Sequence, residues 1–234
     1  PPGARSRCPV RRPLGPRPLS IDAAIDGALE AGADEFLVND SHGSMTNILI
    51  EELNSKARLL SGVNKHLAQM EGIDDSFDVV FFIGYHAREG AEDAVLNHTL
   101  LGRTVYEIRC NGEVVDEAAI NAGIAGHFDV PIGLMAGDQV VCGNAADRFD
   151  GVQTAAVKEA IDRYTANSLT PEAAHDLIKR KARTAVEGAI SLQPYLVDTP
   201  VNFEVDFKST PEAHICELLD RKSTRLNSSH RYVS

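Results

Sequence analysis

Short runs that are apolar on both faces, spaced by segments of helical periodicity, are the feature that most limits what this chain can become. Residues 77–84 (FDVVFFIG) and 131–137 (PIGLMAG) are nearly continuous in apolar side chains, and residues 35–39 (EFLVN) and 152–157 add two more runs of strand length. A strand without polar alternation has to be covered on both sides, which is the condition of a strand in a parallel sheet. Between these runs, Ile21, Ala24, Ile25, Ala28 and Leu29 follow helical spacing, and Gly32 supplies a left-handed stop. Residues 48–60 are also expected to be helical. Thr170 can cap a long helix with Pro171 at its first position and Ala174, Leu177, Ile178, Ala182, Ala185 and Val186 on one face. Strands alternating with amphipathic helices predict an α/β fold, a three-layer sandwich around a mostly parallel sheet.

Two segments depart from this grammar. Residues 104–110 alternate with Tyr106, Ile108 and Cys110 on one face, and residues 201–207 alternate with Val201, Phe203, Val205 and Phe207 on one face. Period-two alternation marks strands with one solvated side, usually antiparallel. They are expected to form a smaller α+β subdomain. The expected organisation is an arm at 1–18 that is disordered or foreign to the fold and a catalytic region at 19–220. Within that region the main α/β part covers about 19–100 and 128–190, and the smaller part about 101–127 and 191–220. A tail at 221–234 is expected to be disordered or foreign to the protein, and so outside the fold.

Charge is distributed unevenly. Residues 1–18 hold five arginines and residues 221–234 hold Arg221, Lys222, Arg225 and Arg231, with no acid in either segment. The remaining 14 cations face all 34 acids, so the body of the chain is strongly acidic even though the total is −11. Such a body repels phosphate backbones and anionic lipid, which makes nucleic acid and membrane surfaces poor partners. No run reaches the roughly 18 apolar residues of a membrane span. Prolines and arginines interrupt any secretory leader at the start, and Cys8, Cys110, Cys142 and Cys216 are too far apart to form a Cys-x-x-Cys pair. A cytoplasmic protein with reduced thiols is expected.

In a parallel sheet, ligands gather where the strands end. After the first apolar run comes Asn39-Asp40-Ser41-His42-Gly43-Ser44, after the second Gly84-Tyr85-His86-Ala87, and after the third Gly137-Asp138. His98, in Asn97-His98-Thr99, and Glu117, beside the apolar stretch 118–124, are further candidates. Any one of these histidines, taken alone, reads better as a loop residue, a cap or a satisfied core imidazole. Glu117 reads equally well as an ordinary helix-face acid. Two histidines at equivalent strand ends make a metal site the sharper alternative. The chain has no phosphate-binding Gly-x-x-x-x-Gly-Lys-Ser/Thr loop, no Gly-x-Gly-x-x-Gly and no Gly-x-Ser-x-Gly elbow. Metal-assisted hydrolysis is the chemistry left standing.

Four strings, in this order, resemble the D-aminopeptidase family. They are residues 38–45 (VNDSHGSM), residues 82–87 (FIGYHA), Asn97-His98-Thr99, and Asn111-Gly112 followed by residues 117–122 (EAAINA). The resemblance runs from about residue 19 to about residue 219. It implies a dinuclear zinc hydrolase that releases N-terminal D-amino acids from short peptides and assembles as a ring-shaped homodecamer. By motif, His42 and His86 would be zinc ligands, Glu117 a carboxylate ligand and His98 the catalytic histidine, which would place the ligand atoms of His42, His86 and Glu117 around one point.

The same resemblance implies a strand ending in Ser-x-Asp-x-Glu-Gly whose two acids complete the metal site, and the first acid in these 234 residues is Asp22. One zinc ion or none, and impaired activity, are therefore expected of this polypeptide. The alternatives are a non-catalytic peptide- or metal-binding form of the same fold, or a metallohydrolase of another substrate class.

Overall fold

The computed structural model describes residues 20–220 and 228–232. The arm expected at 1–18 lies outside the described residues. The first element is helix α1 (Ser20–Glu30), followed by Gly32 with φ of +97° and then strand β1 (Phe36–Asn39). Strand β2 (Ala57–Leu60) lies parallel to β1 in exact step, Phe36 opposite Ala57 and Asn39 opposite Leu60. This corrects the helix expected over residues 48–60, of which only the 3-10 turn Ile50–Glu52 is helical. Local propensity loses here to a sheet edge, because β1 has backbone donors and acceptors that a neighbouring strand satisfies and a helix cannot.

The main sheet has the order β3 (Val80–Ile83), β6 (Ile132–Asp138), β7 (Gln153–Ala160) and β8 (Ala166–Ser168). The first three are parallel, and β8 returns antiparallel to β7. Helix α4 (Pro171–Glu187) is capped by the Thr170 hydroxyl and packs with α1 over one face, where Ala23, Ala24, Ile178, Ala182 and Ala185 meet Leu134, Ala136 and Ala155. Helices α2 (Glu117–His127) and α3 (Gln139–Arg148) cover the other face through Ala118, Ala122, Ala125, Val141, Cys142 and Ala145, packed on Phe82, Ile132 and Met135. Helix, sheet and helix make three layers, an α/β fold. Among the described residues no strand joins the β1–β2 pair to this sheet.

A second sheet has the order β10 (Ser228–Tyr232), β9 (Phe203–Phe207), β4 (Val105–Cys110) and β5 (Glu113–Val114), with helix α5 (Thr210–Asp220) after β9. β9 runs antiparallel to β4, and β10 parallel to β9. Within the tail expected to stand outside the fold, Ser228–Tyr232 thus form an edge strand. A register shift between Val105 and Glu107 changes which side chains point inward. Val105 and Ile108 are buried while Tyr106 is exposed, so the expected alternation of Tyr106 with Ile108 and Cys110 is broken by one bulged residue.

The α1–α4 contact depends on a missing side chain. A Cβ placed on Gly27 would overlap the carbonyl oxygen of Lys179, part of the α4 backbone. Gly143 in α3 is the counterpart, with open space where its Cβ would be. Gly27→Ala is expected to destabilise the protein by about 1–3 kcal/mol through overpacking, and Gly143→Ala to stabilise it by up to about 1 kcal/mol through helix propensity. Urea unfolding of both variants checks this. Equal shifts of the same sign would show that the two helices part without cost.

Candidate metal centre

The site forms where β3 ends. Gly84, with φ of +81°, turns the chain so that its own N–H and that of Tyr85 both donate to the Ala136 carbonyl, at 2.8 and 3.1 Å. That turn delivers His86 to the carboxyl edge of the sheet. The carbonyl of buried Ala87 then accepts the backbone N–H of His98 at 3.1 Å, which brings the second histidine beside the first. The rings of His86 and His98 stack with centroids 3.8 Å apart and 17° between planes.

His98 is held by its flanks. Buried Asn97 donates its side-chain amide to the Ala91 carbonyl and accepts from Arg163. The buried Thr99 hydroxyl accepts the Glu89 N–H at 3.3 Å. Leu96 and Leu100 take left-handed conformations, φ 48° and 55°, so the backbone bends sharply on both sides of the imidazole. Glu89 is in turn paired with Lys208 Nζ at 3.0 Å and Arg163 at 3.4 Å. The end of β9 and the β7–β8 hairpin therefore both brace this loop.

Glu117 is the first residue of α2, whose N-cap is Asp116, its carboxylate accepting from the Ala119 N–H at 2.8 Å. The Glu117 side chain is buried, with the residue 5% exposed, and each oxygen has its own donor. Oε1 accepts from the Leu100 N–H at 2.7 Å and Oε2 from Gln69 Nε2 at 2.5 Å, and His86 Nε2 lies 3.4 Å from Oε1. His86, His98 and Glu117 each offer a ligand atom within 4.8 Å of the others.

The tautomers follow from the partners. His86 Nδ1 faces the Ala87 carbonyl at 3.1 Å and His98 Nδ1 faces the Leu96 carbonyl at 2.6 Å. A carbonyl oxygen can only accept, so each Nδ1 carries the hydrogen and each Nε2 keeps its lone pair. Burial lowers the pKa of His86 against the opposing pull of Glu117, which keeps the ring neutral, the form that binds a metal. Burial raises the Tyr85 hydroxyl well above its ordinary value, so the phenol stays protonated. Imidazole nitrogen and carboxylate oxygen are donors that suit zinc.

His42 stands outside this group. It is exposed on the loop after β1, where its carbonyl accepts the Met45 N–H and the Asn47 side chain. Asp40 organises that loop. Burial would raise its pKa, but hydrogen bonds from Asn47 and Ile48 hold it below the usual carboxylate range. Asp138 likewise serves the backbone, capping α3 through the Val140 and Val141 N–H groups and accepting from Val95. Residue types alone did not point to Gln69 or Asn121, which support Glu117. The signal available for Asn121 was a buried amide four residues after Glu117 on an alanine-rich helix.

The chain is similar to known proteins in sequence and in fold. A sequence model of the D-aminopeptidase family matches residues 19–231. The D-aminopeptidase of Bacillus subtilis (strain 168) is 35% identical over 196 residues, which are 83% of this chain and 70% of that protein. A solved structure, the Zn-dependent D-aminopeptidase DppA from Bacillus subtilis, described as a self-compartmentalizing protease, superposes with a TM-score of 0.82 at 32% identity, over 85% of this chain and 72% of that one. With its motifs, fold and coverage in agreement, the chain belongs to the D-aminopeptidase family.

Proposed function

We propose that this protein is a zinc-dependent aminopeptidase that removes D-amino acids from the N-terminus of short peptides. The observation that carries the reading is the convergence of His86, His98 and Glu117, all from family motifs, within 4.8 Å at the carboxyl edge of the sheet. His86 Nε2 and Glu117 would hold zinc, and His42 would add a further ligand on the strength of its motif. Zinc held there would polarise the peptide carbonyl and acidify a bound water.

His98 has the proton chemistry. With Nδ1–H fixed on the Leu96 carbonyl, its Nε2 takes a proton from the attacking water and returns one to the departing amine. His86→Ala is expected to lose both zinc and hydrolysis of D-alanyl amides. His98→Ala is expected to keep zinc and lose about 100-fold or more in turnover. Loss of zinc from both variants alike would make His98 a ligand and remove its role as proton carrier.

The number of ions belongs to the same proposal. Of the three acids that the resemblance associates with a two-zinc centre, these 234 residues supply Glu117. A polypeptide of these residues holds one zinc at most and works slowly. Assembly into a closed homo-oligomer that encloses its sites is proposed from the self-compartmentalizing relative.

A further inference from the structure

Glu117 is held by a chain of amides that has a direction. Gln69, in the short 3-10 turn Ala68–Met70, donates Nε2 to Glu117 Oε2 at 2.5 Å and accepts at Oε1 from Asn121 Nδ2 at 2.5 Å. Asn121 Nδ2 also donates to the Tyr85 hydroxyl at 2.8 Å. Asn121 is 3% exposed and sits one helical turn after Glu117 on α2, and the Tyr85 ring is stacked on Phe82 with centroids 4.4 Å apart. The relay therefore ties α2, the Ala68–Met70 turn and the residue before His86 into one unit.

A glutamine amide can sit either way round in the same space, and here the orientation decides everything. A carboxylate only accepts, so Gln69 must present its NH2 to Glu117, which leaves its oxygen toward Asn121. Asn121 must then present its own NH2, and both of its hydrogens are used, one on Gln69 and one on Tyr85. Reversing any amide would set two oxygens or two NH2 groups against each other at a part-buried junction, which is costly.

We propose that Gln69 is a positioning residue of the metal centre, its amide polarised by Asn121 and Tyr85 so that its NH2 holds the Glu117 carboxylate in ligating position. The inference rests on Glu117 being a zinc ligand. It requires that Asn121, which never touches the metal, act on zinc affinity through Gln69. Outer groups that orient metal ligands commonly contribute about 10–100-fold in affinity.

The test uses the full chain with zinc affinity read by chelator competition. Gln69→Leu removes the donor and is expected to weaken zinc binding by about 10–100-fold. Asn121→Asp keeps the shape but turns a donor into an acceptor, so Gln69 reverses and sets its oxygen against Glu117; a loss of similar size is expected. Tyr85→Phe, which keeps the packed ring and so preserves the fold, is expected to give a smaller loss in the same direction.

The deciding measurement is the pair of doubles, Gln69→Leu with Asn121→Asp and Gln69→Leu with Tyr85→Phe. Each should bind zinc no more weakly than Gln69→Leu alone, because the effect has nothing left to travel through. Additive losses in the doubles would overturn the relay, since Asn121 and Tyr85 would then act through the fold at large. Unchanged affinity in Gln69→Leu while His86→Ala loses zinc would overturn the inference and leave the metal site standing. Unchanged affinity in both would overturn the metal site and the inference together.

Discussion

Glu117→Gln is expected to strip the centre of zinc and to lower turnover of D-alanyl amides by about 100-fold or more. Shape is nearly conserved, so the loss comes from charge and from hydrogen-bond direction. A neutral amide is a far weaker zinc ligand than a carboxylate, and loss of an electrostatic stabiliser at a reacting centre commonly costs on the order of 100-fold or more in rate. The environment adds to this. Glu117 is met by two donors, Gln69 Nε2 and the Leu100 N–H, one on each oxygen, and an amide in the same pose accepts from one of them and sets its own NH2 against the other. Bound zinc per chain, measured after dialysis, and turnover by the folded variant are the readouts. Full zinc content together with wild-type turnover would remove Glu117 from the site.

The second large effect is a gain. A version of this polypeptide that carries a Ser-x-Asp-x-Glu-Gly strand ahead of residue 20 is expected to bind two zinc ions, against the one at most proposed for these 234 residues, and to turn over D-alanyl amides about 100-fold faster. The argument is one of charge, because two zinc ions bring four positive charges and the described cluster offers one carboxylate against them. Space is the other half of the argument. Among the described residues, β1 pairs on one edge with β2 and β3 pairs on one edge with β6, and each has a further edge that no described strand occupies. A strand paired parallel to β3 on that edge would end beside the turn that carries His86. Equal zinc content and equal turnover in the two polypeptides would defeat the charge argument and the assignment of Glu117 as the remaining acid.

Much of the fold was legible because burial on two faces leaves a plain mark. Residues 77–84 and 131–137 could only be covered strands, and they became β3 and β6 with helices on both sides. The Thr170 cap and Pro171 placed the start of α4 to the residue. Residues 48–60 were misread because Ala57–Leu60 is a strand only by virtue of β1 lying next to it, a pairing that no local pattern encodes. Tyr106 was placed on the wrong face for a similar reason, since a single bulged residue reverses every side chain before it.

The site divides along the same line. By itself the sequence determined which residue types stand after the strands and in which motifs, and so His42, His86, His98 and Glu117 were candidates from the loops, the apolar stretch after Glu117 and the family motifs. Only the tertiary structure decided that His86, His98 and Glu117 bring ligand atoms within 4.8 Å of one another while His42 lies outside that group, that each Nδ1 is held on a backbone carbonyl, and that Gln69 and Asn121 share in holding Glu117. Ligand identity is a property of a side chain and is written in the sequence. Ligand geometry depends on contacts between residues far apart in the chain, such as the 48 positions that separate Gln69 from Glu117, and on hydrogen-bond direction, which arises only when the donors and acceptors are packed against each other away from water.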